Sequence, residues 1–243
     1  MRLCFTKGEL KQKNLKCAMN PYTYRLLIYT FPVIIFFLTC YSSITIAQPK
    51  KNIIILWDVT ASMVGTTPKG YNANKNIDQK VRSSMTKLIE GFANDNSSIR
   101  IMPFKSEILD FSKVYSCNAN GKSRAKSFVA GYSIDPEITG GTNICSAWET
   151  AHKYLNKSCM NYIYLFTDGE QNIPYGDNHN KNCMPNLIEK YCNGTSFTYY
   201  ISIDAKTNFQ FPKECGDTIR VTGEDVISPP PLPDSQKVEI KID

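Results

Sequence analysis

The chain has 243 residues, of which 42% are hydrophobic and 21% charged, the balance of an ordinary globular protein with one main domain plus extensions. That composition excludes collagen-like and disordered classes. The formal charge of +6 does not indicate a nucleic-acid surface: residues 1–25 hold six Lys/Arg and one Glu, residues 26–47 hold no charge, and the remainder balances 22 basic against 21 acidic side chains.

Residues 1–47 read as a secretory signal peptide or a retained N-terminal membrane anchor. A basic region ending at Arg25 leads into the apolar run "LLIYTFPVIIFFL" and then the polar and small residues "TCYSSITIAQ". Thr45 and Ala47 fill the minus-3 and minus-1 places of a cleavage site before Gln48. Retention is the alternative, because 22 uncharged residues approach the roughly 20 that span a bilayer. Met19 offers a later start with a signal of ordinary length. Either way the protein is expected to be exported: secreted, periplasmic or at the envelope surface.

Cysteine usage agrees with export. Six cysteines follow Ala47, namely Cys117, Cys145, Cys159, Cys183, Cys192 and Cys215, and no C-x-x-C pair occurs. An even number without metal-ligand spacing fits an oxidising compartment with up to three disulfides. Buried free thiols are the alternative.

"NIIILW" lacks polar alternation and predicts a central strand covered on both faces. "VRSSMTKLIEGFA" places Val81, Met85, Leu88, Ile89 and Phe92 at helical spacing. "SSIRIMPF" predicts a second strand. "EILDFSKVY" predicts a third, antiparallel after a turn at Lys105 and Ser106. "SRAKSFVAGY" and "ICSAWETAHKYL" read as helices, "NYIYLFT" as a strand ending at Asp168, "MPNLIEKYC" as a helix with Pro185 near its start, and "SFTYYISID" and "TIRVTG" as the last strands. Alternating strands and helices predict a three-layer α/β domain over residues 50–223, with a mostly parallel central sheet, one antiparallel edge strand and helices on both faces. Residues 224–243 contain "ISPPPLPDSQ", whose prolines make it a linker, followed by a short terminal extension.

In a parallel α/β sheet the ligand crevice lies beyond the carboxyl ends of the strands, where strand order reverses. Asp58 ends the first strand in "DVTAS", and Asp168 follows the fourth in "FTDG". Between them "GGTN" carries Thr142 ahead of a helix. Thr60, Ser62 and Thr142 would add three hydroxyls to the two carboxylates, a set without sulfur or imidazole that suits a hard cation such as Mg²⁺. The plainer reading makes Thr60, Ser62 and Thr142 helix caps and Asp168 a turn residue.

These three loops, in this order, resemble those of the von Willebrand factor type A (vWA) domain, a Rossmann-like fold whose metal-ion-dependent adhesion site has the pattern D-x-S-x-S, T, D. The resemblance covers residues 50–223. It implies that Thr60 and Ser62 bind Mg²⁺ (or Mn²⁺ or Ca²⁺) directly, and that Thr142 does so directly or through water. Asp58 and Asp168 are then expected to act through coordinated waters and hydrogen bonds. Thr60 departs from the family's Ser but keeps the hydroxyl.

The implied function is a non-enzymatic, exported adhesion or interaction module, whose protein ligand donates an acidic side chain to the cation. One alternative is a Mg²⁺-dependent phosphoryl-transfer hydrolase with Asp58 as nucleophile. It lacks a lysine in the first loop and has Thr60 where the soluble hydrolases carry their acid. A structural envelope component is the other.

Remaining features are weaker. His152 falls on a predicted helix, His179 in a polar loop, and Trp57 and Trp148 read as core. "GEQNIPYGDNHNKN", after Asp168, is a candidate specificity loop. On this topology Cys145 and Cys183 begin helices at the metal rim, whereas Cys159, Cys192 and Cys215 precede strands at the opposite end. Cys145–Cys183 is therefore the expected bridge on one side and a pair within the second group on the other, with Cys117 unplaced.

Overall fold

In the computed structural model the apolar run Ile53–Trp57 forms the buried heart of strand β1 (Lys51–Asp58). Parallel strands β4 (Ser98–Phe104) and β6 (Met160–Thr167) flank it, which accounts for its lack of polar alternation. Beyond β6 lie β7 (Ser196–Ile203) and β8 (Gly216–Val221), also parallel, and β5 (Lys113–Ser116) closes the other edge antiparallel to β4. The order is β5-β4-β1-β6-β7-β8. The structure describes residues 50–67, 69–109, 112–135, 141–169, 171–172, 183–203 and 210–221. The predicted leader 1–47, the linker and extension 224–243, His179 and most of the loop after Asp168 lie outside them.

Helices cover both faces. Ile53, Ile55 and Trp57 pack with Val81, Met85, Leu88 and Ile89 of α1 (Asp78–Gly91) and with Ala125 and Val129 of α2 (Ala119–Gly131). Ile54 and Leu56 point the other way, toward Trp148 and Ala151 of α3 (Ile144–His152) and Leu187 and Ile188 of α4 (Met184–Tyr191). Each buried side chain of this size contributes roughly 1.5–3 kcal/mol, so β1 alone anchors both layers.

Three elements depart from the sequence reading. A hairpin of β2 (Val64–Thr67) and β3 (Gly70–Asn76) stands between the first loop and α1, where no strand was expected. Among the described residues the third predicted strand is shorter. Lys105 N donates to Glu107 O in a tight turn, Ile108 bridges Phe104, and regular pairing with β4 runs from Lys113. Helix α2 starts four residues before "SRAKSFVAGY", because Asn118 caps it by accepting the Gly121 amide at 2.8 Å.

Two disulfides occur among the described residues, Cys145–Cys183 and Cys192–Cys215, with Cα separations of 6.2 and 5.5 Å. The first joins the starts of α3 and α4, and the second lies within the group expected at the opposite end. Cys117 and Cys159 are free thiols, and burial pushes Cys117 up to about 11.

Candidate metal centre

Strand order fixes where the site falls. The chain leaves β1 for β4 on one side and leaves β6 for β7 on the other, so the crevice between the carboxyl ends of β1 and β6 is the switch point of the sheet. Asp58 is the last residue of β1 and Asp168 the first after β6. Adjacency of those two strands brings together loops 110 residues apart in sequence.

Asp58 is completely buried. Its Oδ1 accepts the Thr60 amide at 3.0 Å and its Oδ2 accepts the Thr167 hydroxyl at 2.6 Å. Burial pushes its carboxyl above the usual carboxylate range, and the hydrogen bonds from Thr167 and Thr60 pull it back only in part. No lysine or arginine among the described residues forms an ion pair with it.

The hydroxyls converge beside it. Ser62 Oγ donates to Asp168 Oδ1 at 3.0 Å, which spends its only proton, so the 2.9 Å contact between Thr60 Oγ1 and Ser62 Oγ has Thr60 as donor. Thr60 makes no side-chain capping bond to the short 3₁₀ turn Ala61–Met63. Its hydroxyl faces Ser62 instead, contrary to the plain capping reading.

Thr142 is buried as well. The cap of α3 is Asn143, whose side chain accepts the Ser146 amide at 3.2 Å, and this leaves the Thr142 hydroxyl out of the capping role. A Cβ placed on Gly169 would lie 3.2 Å from Thr142 Oγ1. The glycine after Asp168 therefore lets the second and third loops touch.

The structure thus brings Asp58, Thr60, Ser62 and Asp168 into one hydrogen-bonded chain and seats Thr142 against the Asp168 loop. The donors are oxygens only, and the buried carboxylate lacks a cationic partner among the described residues. Both properties fit a hard divalent cation, which takes oxygen ligands and would supply the missing charge. Thr167 is a contributor the sequence reading missed: its hydroxyl accepts the Gly169 amide at 3.1 Å and passes its proton toward Asp58. Its position beside Asp168 was visible, but its orientation follows only from the strand pairing.

The nucleophile role for Asp58 meets a geometric obstacle, since both of its oxygens are engaged and the residue has no exposed surface. His152 lies outside the site. It stacks on Tyr191 with centroids 4.3 Å apart and stands edge-on to Trp148. Trp57 and Trp148 are core, as expected, with Trp148 Nε1 donating to Thr198. One further ligand-type cluster among the described residues, Cys192, Glu214 and Cys215, has both sulfurs consumed in a disulfide.

A three-layer α/β domain with this sheet order and an oxygen cluster at its switch point belongs to a recognisable class. The described domain has the vWA fold: it matches a von Willebrand factor type A structure from Catenulispora acidiphila with a TM-score of 0.50 and 14% identity, over 71% of this chain and 38% of that one. The match thus spans well under half of that protein. Weaker likenesses include the conserved hypothetical protein BatB from Bacteroides thetaiotaomicron (TM-score 0.47, 14% identity, 71% of this chain and 90% of that one). Another is proximal thread matrix protein 1 of the mussel byssus with a zinc-occupied MIDAS motif (TM-score 0.48, 16% identity, 71% and 44%). The fold assignment rests on the first. No protein-family model and no curated protein matches the chain.

Proposed function

We propose that this domain is an interaction module that docks a protein partner through a divalent cation. Thr60 and Ser62 hold the cation directly, Thr142 holds it directly or through water, Asp58 and Asp168 hold it through water and hydrogen bonds, and Mg²⁺ is its expected occupant. The observation that carries the reading is the buried carboxylate of Asp58, which has no Lys or Arg ion-pair partner among the described residues, beside a chain of hydroxyls ending at Asp168.

The charge arithmetic explains why such a site docks rather than catalyses. A divalent ion held mainly by neutral hydroxyls keeps residual positive charge and an open position, which a partner's carboxylate fills. The chain's own residues contribute orientation. The Thr60 amide and Thr167 hydroxyl fix the Asp58 carboxylate, and Ser62 is held toward Asp168.

We assign the protein to an exported location on its leader and on the bridged cysteines, with residues 1–47 as signal or anchor and 224–243 as linker and extension. Capture of a partner from an envelope extract should require the cation. Binding lost in EDTA, restored by Mg²⁺ and absent in Ser62→Ala supports the proposal. Binding indifferent to EDTA and to Ser62→Ala contradicts it and favours a purely structural role in the envelope.

A further inference from the structure

The loops that carry Thr142 and Asp168 are tied together by side chains outside the candidate ligand set. Asn172 Oδ1 accepts the Thr142 amide at 2.7 Å, and the Asn172 amide donates to the Thr142 carbonyl at 3.2 Å, closing a two-bond ring around one residue. Next to it, Gln171 Oε1 accepts the Cys145 amide at 3.1 Å, and Gln171 Nε2 donates to Asn143 Oδ1 at 3.0 Å. Asn143 is itself anchored from the far side: its amide donates to Lys105 O at 2.8 Å and its Nδ2 to Ser106 O at 3.1 Å.

Thr142 follows Gly140 and Gly141 in the sequence, so its loop has more backbone freedom to lose than any other part of the site. A ligand on such a loop must be ordered when the cation binds, unless the fold has ordered it beforehand. Both bonds from Asn172 land on the backbone of Thr142, and both bonds from Gln171 land on the first residues after it. The loop is therefore clamped between the turn after β4 and the loop after β6.

We propose that Gln171 and Asn172 are positioning residues that hold the Thr142 hydroxyl at the rim beside Asp168 and thereby set the affinity of the site for its cation. The inference rests on the cation reading above, but it concerns residues which that reading does not use. Asn172 is exposed, so truncating it leaves no buried gap that would unfold the domain.

The test is a double-mutant cycle with Mn²⁺ as probe, its free fraction followed by electron paramagnetic resonance. Asn172→Ala removes one of the two bonds to Thr142 and should weaken Mn²⁺ binding by about tenfold, the typical worth of a hydrogen bond to an ordered loop. Asn172→Asp keeps the Oδ1 acceptor and should restore binding. In a Thr142→Ala background, where the hydroxyl is already gone, Asn172→Ala should change affinity by less than about twofold. In cation-free protein, amide exchange at Thr142 should accelerate in Asn172→Ala, and at Cys145 in Gln171→Met.

The arms separate the two claims. If Mn²⁺ does not bind the wild type, or binds Asp58→Ala equally well, the metal centre itself is wrong and the inference falls with it. If binding depends on Asp58 but Asn172→Ala leaves it unchanged, or weakens it equally with and without Thr142, only the positioning role is overturned. Failure of Asn172→Asp to restore binding overturns it too.

Discussion

His152 makes the domain acid-sensitive in a way its neighbours allow us to size. The ring stacks on Tyr191 and meets Trp148 edge-on, both at 4.3 Å, and its Nε2 is buried without a hydrogen-bond partner among the described residues. Burial pushes its titration from 6.5 down to about 4, and the Glu149 carboxylate opposes this only partly. The unfolded chain therefore binds a proton between about pH 6.5 and 4 that the folded domain refuses. Stability from this group is complete above pH 6.5 and is lost as pH falls through that window. At about 1.36 kcal/mol per pH unit the ceiling is about 3 kcal/mol, and solvent at the half-buried ring reduces it to roughly 2. That corresponds to roughly 4–8 °C in Tm for a domain of this size. His152→Phe keeps both ring contacts and cannot titrate. Guanidinium unfolding at pH 7.5, 5.5 and 4 should show the wild type losing roughly 2 kcal/mol more than the variant. Parallel losses in the two proteins would refute the reasoning.

Asp78 and Arg82 form a buried ion pair at 2.7 Å, with the guanidinium also 4.7 Å over the Trp57 ring. Asp78→Ala should cost about 3–5 kcal/mol, because it strands Arg82, and chemical denaturation would measure it. The Cys145–Cys183 bridge closes a separation of 38 residues, so replacing both cysteines with alanine should cost about 3–4 kcal/mol in the chain-entropy account. A loss below about 1 kcal/mol would show that the unfolded chain is already constrained there. Gly169→Ala would press a methyl against Thr142 Oγ1 from 3.2 Å. It should weaken Mg²⁺-dependent stabilisation while leaving Tm in EDTA within a few degrees, both read by differential scanning fluorimetry.

The central strand and the rim residues were legible because they depend on local pattern. A short, unbroken apolar run rich in β-branched residues reads as a covered strand, and a carboxylate at its exit marks the crevice. Asp58, Thr60, Ser62, Thr142 and Asp168 followed from that logic together with the family resemblance. The β2–β3 hairpin was not legible, since "VGTTPKGYNANKN" is polar and rich in Asn and Gly. Its register shifts at Gly65 and its turn ends at Gly70, at φ of +80° and +107°, a geometry composition does not announce. The start of α1 was hidden for a similar reason. Its cap position is Ile77, and Asn76 takes the Asp78 amide instead of a standard cap residue. Thr167, Gln171 and Asn172 act through partners that only strand pairing and loop packing bring near.

Cation-dependent stability tests the central claim most directly. Thr60→Val with Ser62→Ala removes two hydroxyls and little else, so the folded scaffold should persist. In EDTA-treated wild type, Mg²⁺ at about one hundred times its dissociation constant should add about 2.7 kcal/mol, because only the folded state presents the site. Tm should then rise by roughly 5–10 °C, with no rise in the double variant. An equal rise in both proteins, or none in either, would contradict the account.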